Sequence, residues 1–134
     1  NLSHNTLIIY VTDNGTAART IVSVRNGEFV QEANASEFGG EIIPGGKAQL
    51  TDWGTRVPTI VRWPGVVPAG SVSDALIDAS DFLPTLAEVA GAELPFGIQL
   101  DGKSFASELY GQAAAPRDWV FAEHKGRAFV KNHR

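Results

Sequence analysis

A continuous apolar run near the start of the chain, Thr6 to Val11, sets the narrowest limits on the fold. Its residues are β-branched, aromatic or leucine, and none of them is charged. A strand with one face in water would alternate polar and apolar residues, so this run predicts a strand that is buried on both faces. Such strands lie at the centre of parallel sheets, and the sequence therefore favours an α/β fold.

Later segments fit the same fold class. A second strand is predicted at Val57 to Trp63, because Pro64-Gly65 breaks the apolar run that precedes it. Apolar spacing predicts a helix from Asp81 to Ala90 that ends at Gly91. The face of this helix that is predicted to pack is formed by Phe82, Leu83, Leu86, Val89 and Ala90. A shorter helix is predicted from Ser104 to Gly111.

Two small hairpins are predicted outside the central sheet. The pair Asn26-Gly27 lies between the β-prone arms Thr20 to Val24 and Glu28 to Val30, which is a strong hairpin signal. A terminal hairpin is predicted within Trp119 to Lys131, around His124-Lys125-Gly126. The segment Gln31 to Gly40 is polar and small without periodicity, and it is interpreted as a surface loop.

Composition excludes several classes of protein. The chain has 134 residues and a formal net charge of −4, and its eleven Lys and Arg residues are scattered, so no nucleic acid is expected as a partner. No apolar run approaches the ~20 residues of a membrane span, so no membrane association is expected. Cys is absent, which excludes disulfides and thiolate chemistry. Met is also absent, even at position 1, and the chain is interpreted as a fragment.

Two short motifs have residues that suit the binding of ions, the first of a hard cation and the second of an oxyanion. Asp13-Asn14-Gly15 follows the first strand and offers the hard oxygen ligands that Ca²⁺ or Mg²⁺ prefers, although the same residues are also typical of an ordinary turn. In Gly45-Gly46-Lys47 the two glycines leave backbone N–H groups accessible, and the lysine that follows supplies a positive charge. Both features suit the binding of an oxyanion. It does not match the phosphate loop of nucleotide-binding proteins, and taken alone it favours an ordinary exposed loop lysine.

The motifs gain meaning from their order along the chain. Five segments occur in the same order as in type I sulfatases of the alkaline phosphatase superfamily. The chain resembles these enzymes over most of the region from Asn5 to Gly111. They are Asn5 to Gly15, Gly45 to Lys47, Thr51 to Gly65, Asp81 to Leu86 with Gly91, and Asp101 to Ser104. Each segment is short, but five in register make a chance match improbable.

The resemblance implies both a fold and a set of roles. Residues 1–134 would be the C-terminal part of a catalytic domain, an alkaline-phosphatase-like sandwich with a mostly parallel central sheet and added hairpins. Asp13 and Asn14 occupy the positions of two calcium ligands, and Lys47 occupies that of the catalytic lysine that binds the sulfate of the sulfate-ester substrate. The departures from the family pattern are Ala48, where glycine is usual after the lysine, and Trp53, where small residues are common.

The resemblance also implies what this chain lacks. Family members use a formylglycine nucleophile made from Cys or Ser in a Cys/Ser-x-Pro-x-Arg motif, and no segment here matches it. The isolated chain is therefore expected to be inactive. A periplasmic, secreted or lysosomal location is implied by the same resemblance.

Two alternatives stay open from the sequence. A phosphodiesterase or phosphonate hydrolase of the same superfamily would share the metal ligands and the scaffold. A non-catalytic module that associates with itself through unpaired strand edges is the other.

Other conspicuous residues are interpreted as ordinary. His4, His124 and His133 lack metal-ligand spacing and are predicted to be exposed. The glycosylation sequons at Asn14 and Asn34 are treated as chance matches.

Overall fold

The computed structural model describes residues 2–112 and 117–132. Their secondary structure is mixed α/β, with short elements. The strands are β1 (Ile8–Val11), β2 (Arg19–Arg25), β3 (Glu28–Ala33), β4 (Ala35–Phe38), β5 (Glu41–Pro44), β6 (Thr59–Arg62), β7 (Trp119–His124) and β8 (Arg127–Asn132). The helices are α1 (Asp52–Thr55), α2 (Phe82–Ala90) and α3 (Ala106–Leu109). The chain forms two compact units, one built mainly from Ile60–Phe121 and the other from Tyr10–Thr59 with Ala122–Phe129.

Strands β1 and β6 confirm the two predicted apolar strands, and they pair with each other. The prediction that the first strand is buried on both faces is wrong for this chain, because Ile8 and Tyr10 expose 50% and 56% of their surface. The physical reason is the small size of the sheet. The described residues form four separate two-stranded sheets, so no further strand extends the β1–β6 pair. Self-association through such strand edges stays a prediction.

The hairpins follow their turn chemistry. Strands β2 and β3 are antiparallel, and Asn26 and Gly27 connect them with φ angles of 51° and 81°, as a two-residue turn of this type requires. Strands β7 and β8 also pair, around Lys125 and Gly126. Both hairpin predictions are confirmed.

The predicted surface loop at Gln31 to Gly40 is wrong. Strand β3 continues to Ala33, and β4 and β5 form another antiparallel hairpin that turns at Gly39-Gly40. Both glycines have positive φ, 61° and 83°, so this glycine pair serves as a tight turn rather than as part of a loose loop.

Helix α2 confirms the predicted helix, and Gly91 ends it with a φ of 62°. The predicted packing face is only partly right: Phe82 is half-buried, but Leu83 and Leu86 are 55% and 46% exposed, whereas Pro84 and Thr85 are buried. The reason is a polar network at the start of the helix that draws a different side inward. A turn of 3₁₀ helix (Ala79–Asp81) precedes the helix and is closed by a capping box.

The polar network centres on the fully buried carboxylate of Asp81. One oxygen accepts hydrogen bonds from the backbone N–H of Lys103 (2.7 Å) and from the guanidinium of Arg117, and the other accepts from the N–H of Asp78 (2.7 Å). The buried hydroxyl of Thr85 donates to the Asp81 carbonyl (2.6 Å) and accepts from the N–H of Phe105 (3.0 Å). These contacts join three separate segments of the Ile60–Phe121 unit.

The apolar core of the same unit lies beside this network. Phe105, Ala106 and Leu109 are its buried members, and the ring of Phe82 meets that of Phe105 edge to face at 5.4 Å between centroids. Helix α3 confirms the predicted short helix, although it spans only Ala106–Leu109. Among residues 2–112 and 117–132, no helix is long and apolar enough to cross a bilayer.

Candidate active site

The motif that follows β1 is held by local hydrogen bonds. The Thr12 hydroxyl donates to the carbonyl of Asn14 (3.4 Å), and the Asn14 side-chain nitrogen donates to the carbonyl of Gly15 (3.1 Å). The amide oxygen Oδ1 is the atom of this side chain that can bind a cation, and it accepts no hydrogen bond within the described part of the chain. The Asp13 carboxylate is exposed and makes no hydrogen bond or ion pair within the described part of the chain.

The second motif begins where β5 ends. The N–H of Gly45 donates to the carbonyl of Asn34 (3.0 Å), and the N–H of Lys47 donates to the carbonyl of Thr16 (2.9 Å). The backbone of Lys47 therefore lies against Thr16, which is two residues beyond Asn14. The two motifs selected from the sequence come together within the unit of Tyr10–Thr59 and Ala122–Phe129.

Glycines make this close approach possible. The N–H of Gly15 donates to the carbonyl of Gly54 (3.0 Å), and a Cβ on Gly15 would overlap the carbonyl oxygen of Trp53. A Cβ on Gly46 would lie 2.7 Å from both the carbonyl carbon and the Cβ of Trp53. Neither glycine has a positive φ, so the lack of a side chain is what the packing requires. Sequence reasoning missed these contacts, although the clustered glycines were a signal for them.

Helix α1 lies beside the glycines of both motifs. The N–H of Gln49 donates to the carbonyl of Gly46 (2.9 Å), and the buried Gly54 donates from its N–H to the carbonyl of Thr51 (3.0 Å). The indole of Trp53 is 44% exposed next to this glycine cluster. The short helix was not predicted, because its four residues are too few for apolar spacing to appear.

Ala48 is one departure from the family pattern, and its backbone conformation shows why glycine suits this position. Its φ is 68°, in the left-handed region where a Cβ is disfavoured and glycine is not. We expect Ala48→Gly to raise the free energy of unfolding by about 1 kcal/mol, because the strain at this residue is removed. Urea unfolding of the chain measures the change.

The matched control for that change is Ala69→Gly. Ala69 is also exposed but lies outside the positive-φ set, so glycine there should lower stability through the entropy of the unfolded chain. An equal loss of stability in both variants would contradict the strain at Ala48.

The charges of the site stay apart from each other. The side chains of Asp13 and Lys47 are both exposed, and neither forms an ion pair with the other or with another described residue. An ammonium and a carboxylate that are not neutralised locally can act on an anion and on a cation, respectively. Within residues 2–112 and 117–132, no three His, Cys, Asp or Glu side chains cluster in a way that suits a metal ion.

The remaining candidates play no part in this site. His4 and His124 are exposed, which confirms the prediction for them, and His133 lies outside the described residues. Trp63 is half-buried with its ring 6.3 Å from that of Tyr110, which indicates packing.

The segments 13–16 and 45–47 thus place an exposed carboxylate, an amide oxygen and an exposed ammonium on neighbouring parts of a mixed α/β chain. Comparison with known proteins identifies the family of this chain. The family model described as Sulfatase matches residues 1–92. The chain belongs to the sulfatase family.

Curated relatives of this chain are also sulfatases by name. Steryl-sulfatase from Homo sapiens is 36% identical over 129 residues, which is 96% of this chain and 21% of that protein. Arylsulfatase from Hemicentrotus pulcherrimus is 31% identical over 90% of this chain and 19% of its own length. Ulvan-active sulfatase from Formosa agariphila is 32% identical over 90% of this chain and 18% of its own length. The chain spans about a fifth of the length of these relatives.

Proposed function

We propose that this chain is part of an enzyme that hydrolyses sulfate esters, in which Lys47 binds the sulfate group and Asp13 and Asn14 supply calcium ligands. The single observation that carries the proposal is the hydrogen bond from the Lys47 N–H to the Thr16 carbonyl (2.9 Å), because it joins the two motifs. Family membership supports the reaction class.

Lys47 is suited to electrostatic stabilisation. Negative charge grows on the oxygens of the sulfate ester as the bond to the leaving group breaks. A fixed backbone restricts where the Lys47 ammonium can reach, which lowers the reorganisation needed to bring this charge to the transition state. The contacts of Gly45 and Gly46 fix that backbone.

Asp13 and Asn14 fit a calcium ion in their chemistry. A carboxylate oxygen without an internal partner and an amide oxygen whose nitrogen is occupied are hard ligands, and they are two of the six to eight oxygens that Ca²⁺ takes. When bound, calcium would supply positive charge to hold the sulfate oxygens. Because only two ligands are assigned to this chain, we expect its own affinity for calcium to be weak.

The nucleophile is also proposed to lie outside this chain. In the complete enzyme, a hydroxyl of the hydrated formylglycine made from Cys or Ser would attack the sulfur and displace the alcohol of the ester, and the chain alone is expected to be inactive. In the complete enzyme, β1 and β6 would belong to a larger, mostly parallel sheet, which would cover their exposed side chains. A periplasmic, secreted or lysosomal location belongs to the same proposal.

The competing reaction is phosphodiester or phosphonate hydrolysis on the same scaffold. The three relatives described above are sulfatases by name, which favours the sulfate ester. The test is the ratio of kcat/KM for an aryl sulfate to that for an aryl phosphodiester with the same leaving group, measured on the full-length enzyme. We expect a ratio above about tenfold in favour of the sulfate, equivalent to roughly 1.4 kcal/mol. A ratio below one would identify the phosphodiesterase.

A further inference from the structure

Asn34 lies between the two motifs of the site and contacts the segments that carry both. We propose that Asn34 is a positioning residue, which sets the Lys47 loop against the segment that follows Asp13 and Asn14. The inference rests on the proposed function of Lys47. Asn34 is half-buried between β3 and β4.

The backbone of Asn34 makes the first connection. Its N–H donates to the carbonyl of Ala18 (2.9 Å), and its carbonyl accepts from the N–H of Gly45 (3.0 Å). The backbone of one residue is therefore hydrogen-bonded both to the segment that follows the first motif and to the first glycine of the second motif.

The side-chain amide makes the second connection. The nitrogen Nδ2 donates to the carbonyl of Ala17 (2.8 Å), and the amide also exchanges hydrogen bonds with the Thr20 hydroxyl, at 2.6 Å from Nδ2 and 2.9 Å from Oδ1. These contacts need a donor and an acceptor on one short planar group. Aspartate lacks the donor, and alanine lacks both.

Together these contacts form a series of hydrogen bonds between two segments that are not paired as strands. Three consecutive carbonyls, of Thr16, Ala17 and Ala18, accept hydrogen bonds from the Lys47 N–H, the Asn34 side chain and the Asn34 N–H. Gly45 packs so closely on Ala17 that a Cβ there would overlap its carbonyl oxygen. The Asn34 amide thus holds the middle of this series of hydrogen bonds, and the Lys47 N–H contacts the carbonyl of Thr16 at the end that follows Asn14 in the sequence.

The same geometry bears on the sequon at Asn34. A glycan would be attached at Nδ2, the nitrogen that contacts both Ala17 and Thr20, and would leave a single N–H there. The contacts with both partners therefore favour an unmodified Asn34.

The contact itself is tested on this chain by amide hydrogen exchange. In Asn34→Ala, we expect the Lys47 amide to exchange at least about tenfold faster than in the wild type, which corresponds to 1.4 kcal/mol of lost local stability. Thr20→Val should give a change in the same direction. Gln31→Ala removes an exposed side-chain amide from the same hairpin and should leave the Lys47 amide unchanged. Unchanged exchange at Lys47 in Asn34→Ala overturns the inference.

The effect on catalysis is tested on the full-length enzyme by a double-mutant cycle. Asn34→Ala should lower kcat for an aryl sulfate about tenfold in the wild type and should have little further effect when Lys47 is already alanine. A purely structural role would lower kcat equally in both backgrounds and would overturn the inference. If Lys47→Ala itself keeps full activity, the proposed function fails, whereas the exchange experiment still decides whether Asn34 holds the loop.

Discussion

Lys47→Ala in the full-length enzyme is expected to lower kcat for sulfate-ester hydrolysis by about 10²–10³-fold, the loss typical of a preorganised group that stabilises developing charge. The change removes the ammonium but keeps the N–H that donates to the Thr16 carbonyl, so the loop should stay in place. The measurement is steady-state hydrolysis of an aryl sulfate, with kcat and KM determined separately.

The control for this prediction is Lys125→Ala. Lys125 is also exposed and lies in the turn between β7 and β8, so it reports the effect of losing one surface charge. Lys47→Arg should retain only part of the activity, because the planar guanidinium keeps the charge but not the compact geometry. A Lys47→Ala enzyme with the kcat of the wild type would remove Lys47 from the mechanism.

Asp81→Ala is expected to lower the free energy of unfolding by about 3–5 kcal/mol, the range measured when one partner of a buried ion pair is removed. The substitution leaves the guanidinium of Arg117 buried without its carboxylate. It also leaves the N–H groups of Asp78 and Lys103 without their acceptor. Urea unfolding of the chain, followed by circular dichroism, measures the loss.

The matched control is Asp74→Ala, since Asp74 is exposed and makes no hydrogen bond or ion pair in the part of the chain that the structure describes. It should change stability by less than about 0.5 kcal/mol. Asp81→Asn should be intermediate, because one amide oxygen can still accept while the amide nitrogen faces a backbone donor. Equal stabilities for Asp81→Ala and Asp74→Ala would show that the buried network does not hold the unit together.

Local signals explain which parts of the fold could be predicted. Asn26-Gly27 specifies its own turn, and Gly91 specifies the end of α2, because positive φ is favourable for these residues. Both features were predicted correctly from neighbouring residues alone. The candidate residues Asp13 and Lys47 were selected in the same way, from short motifs and their order.

Contacts between distant residues could not be predicted. The packing face of α2 depends on Arg117 and Lys103, which lie far along the chain from Asp81. Asn34 joins the two segments of the candidate site through hydrogen bonds to Ala17 and Gly45, and no local pattern reveals these contacts because all three residues lie outside the strands. The β4–β5 hairpin was missed because the sequence of β4 lacks the β-branched and aromatic alternation that marks a strand.

The burial of β1 was mispredicted for a related reason. Its sequence is that of a strand covered on both faces, but burial depends on the elements that pack on the strand, and among the described residues β1 pairs only with β6. An apolar run predicts a tendency to be covered. It does not say which residues provide the cover.

A crystal structure of the full-length enzyme with calcium and sulfate tests most directly whether the two motifs serve one anion. We predict oxygens of Asp13 and Asn14 at about 2.3–2.6 Å from the calcium ion, and the Lys47 ammonium at about 2.7–2.9 Å from an oxygen of the same sulfate that the calcium contacts. A structure in which calcium is bound without Asp13 and Asn14, or in which Lys47 points away from the sulfate, would contradict the account.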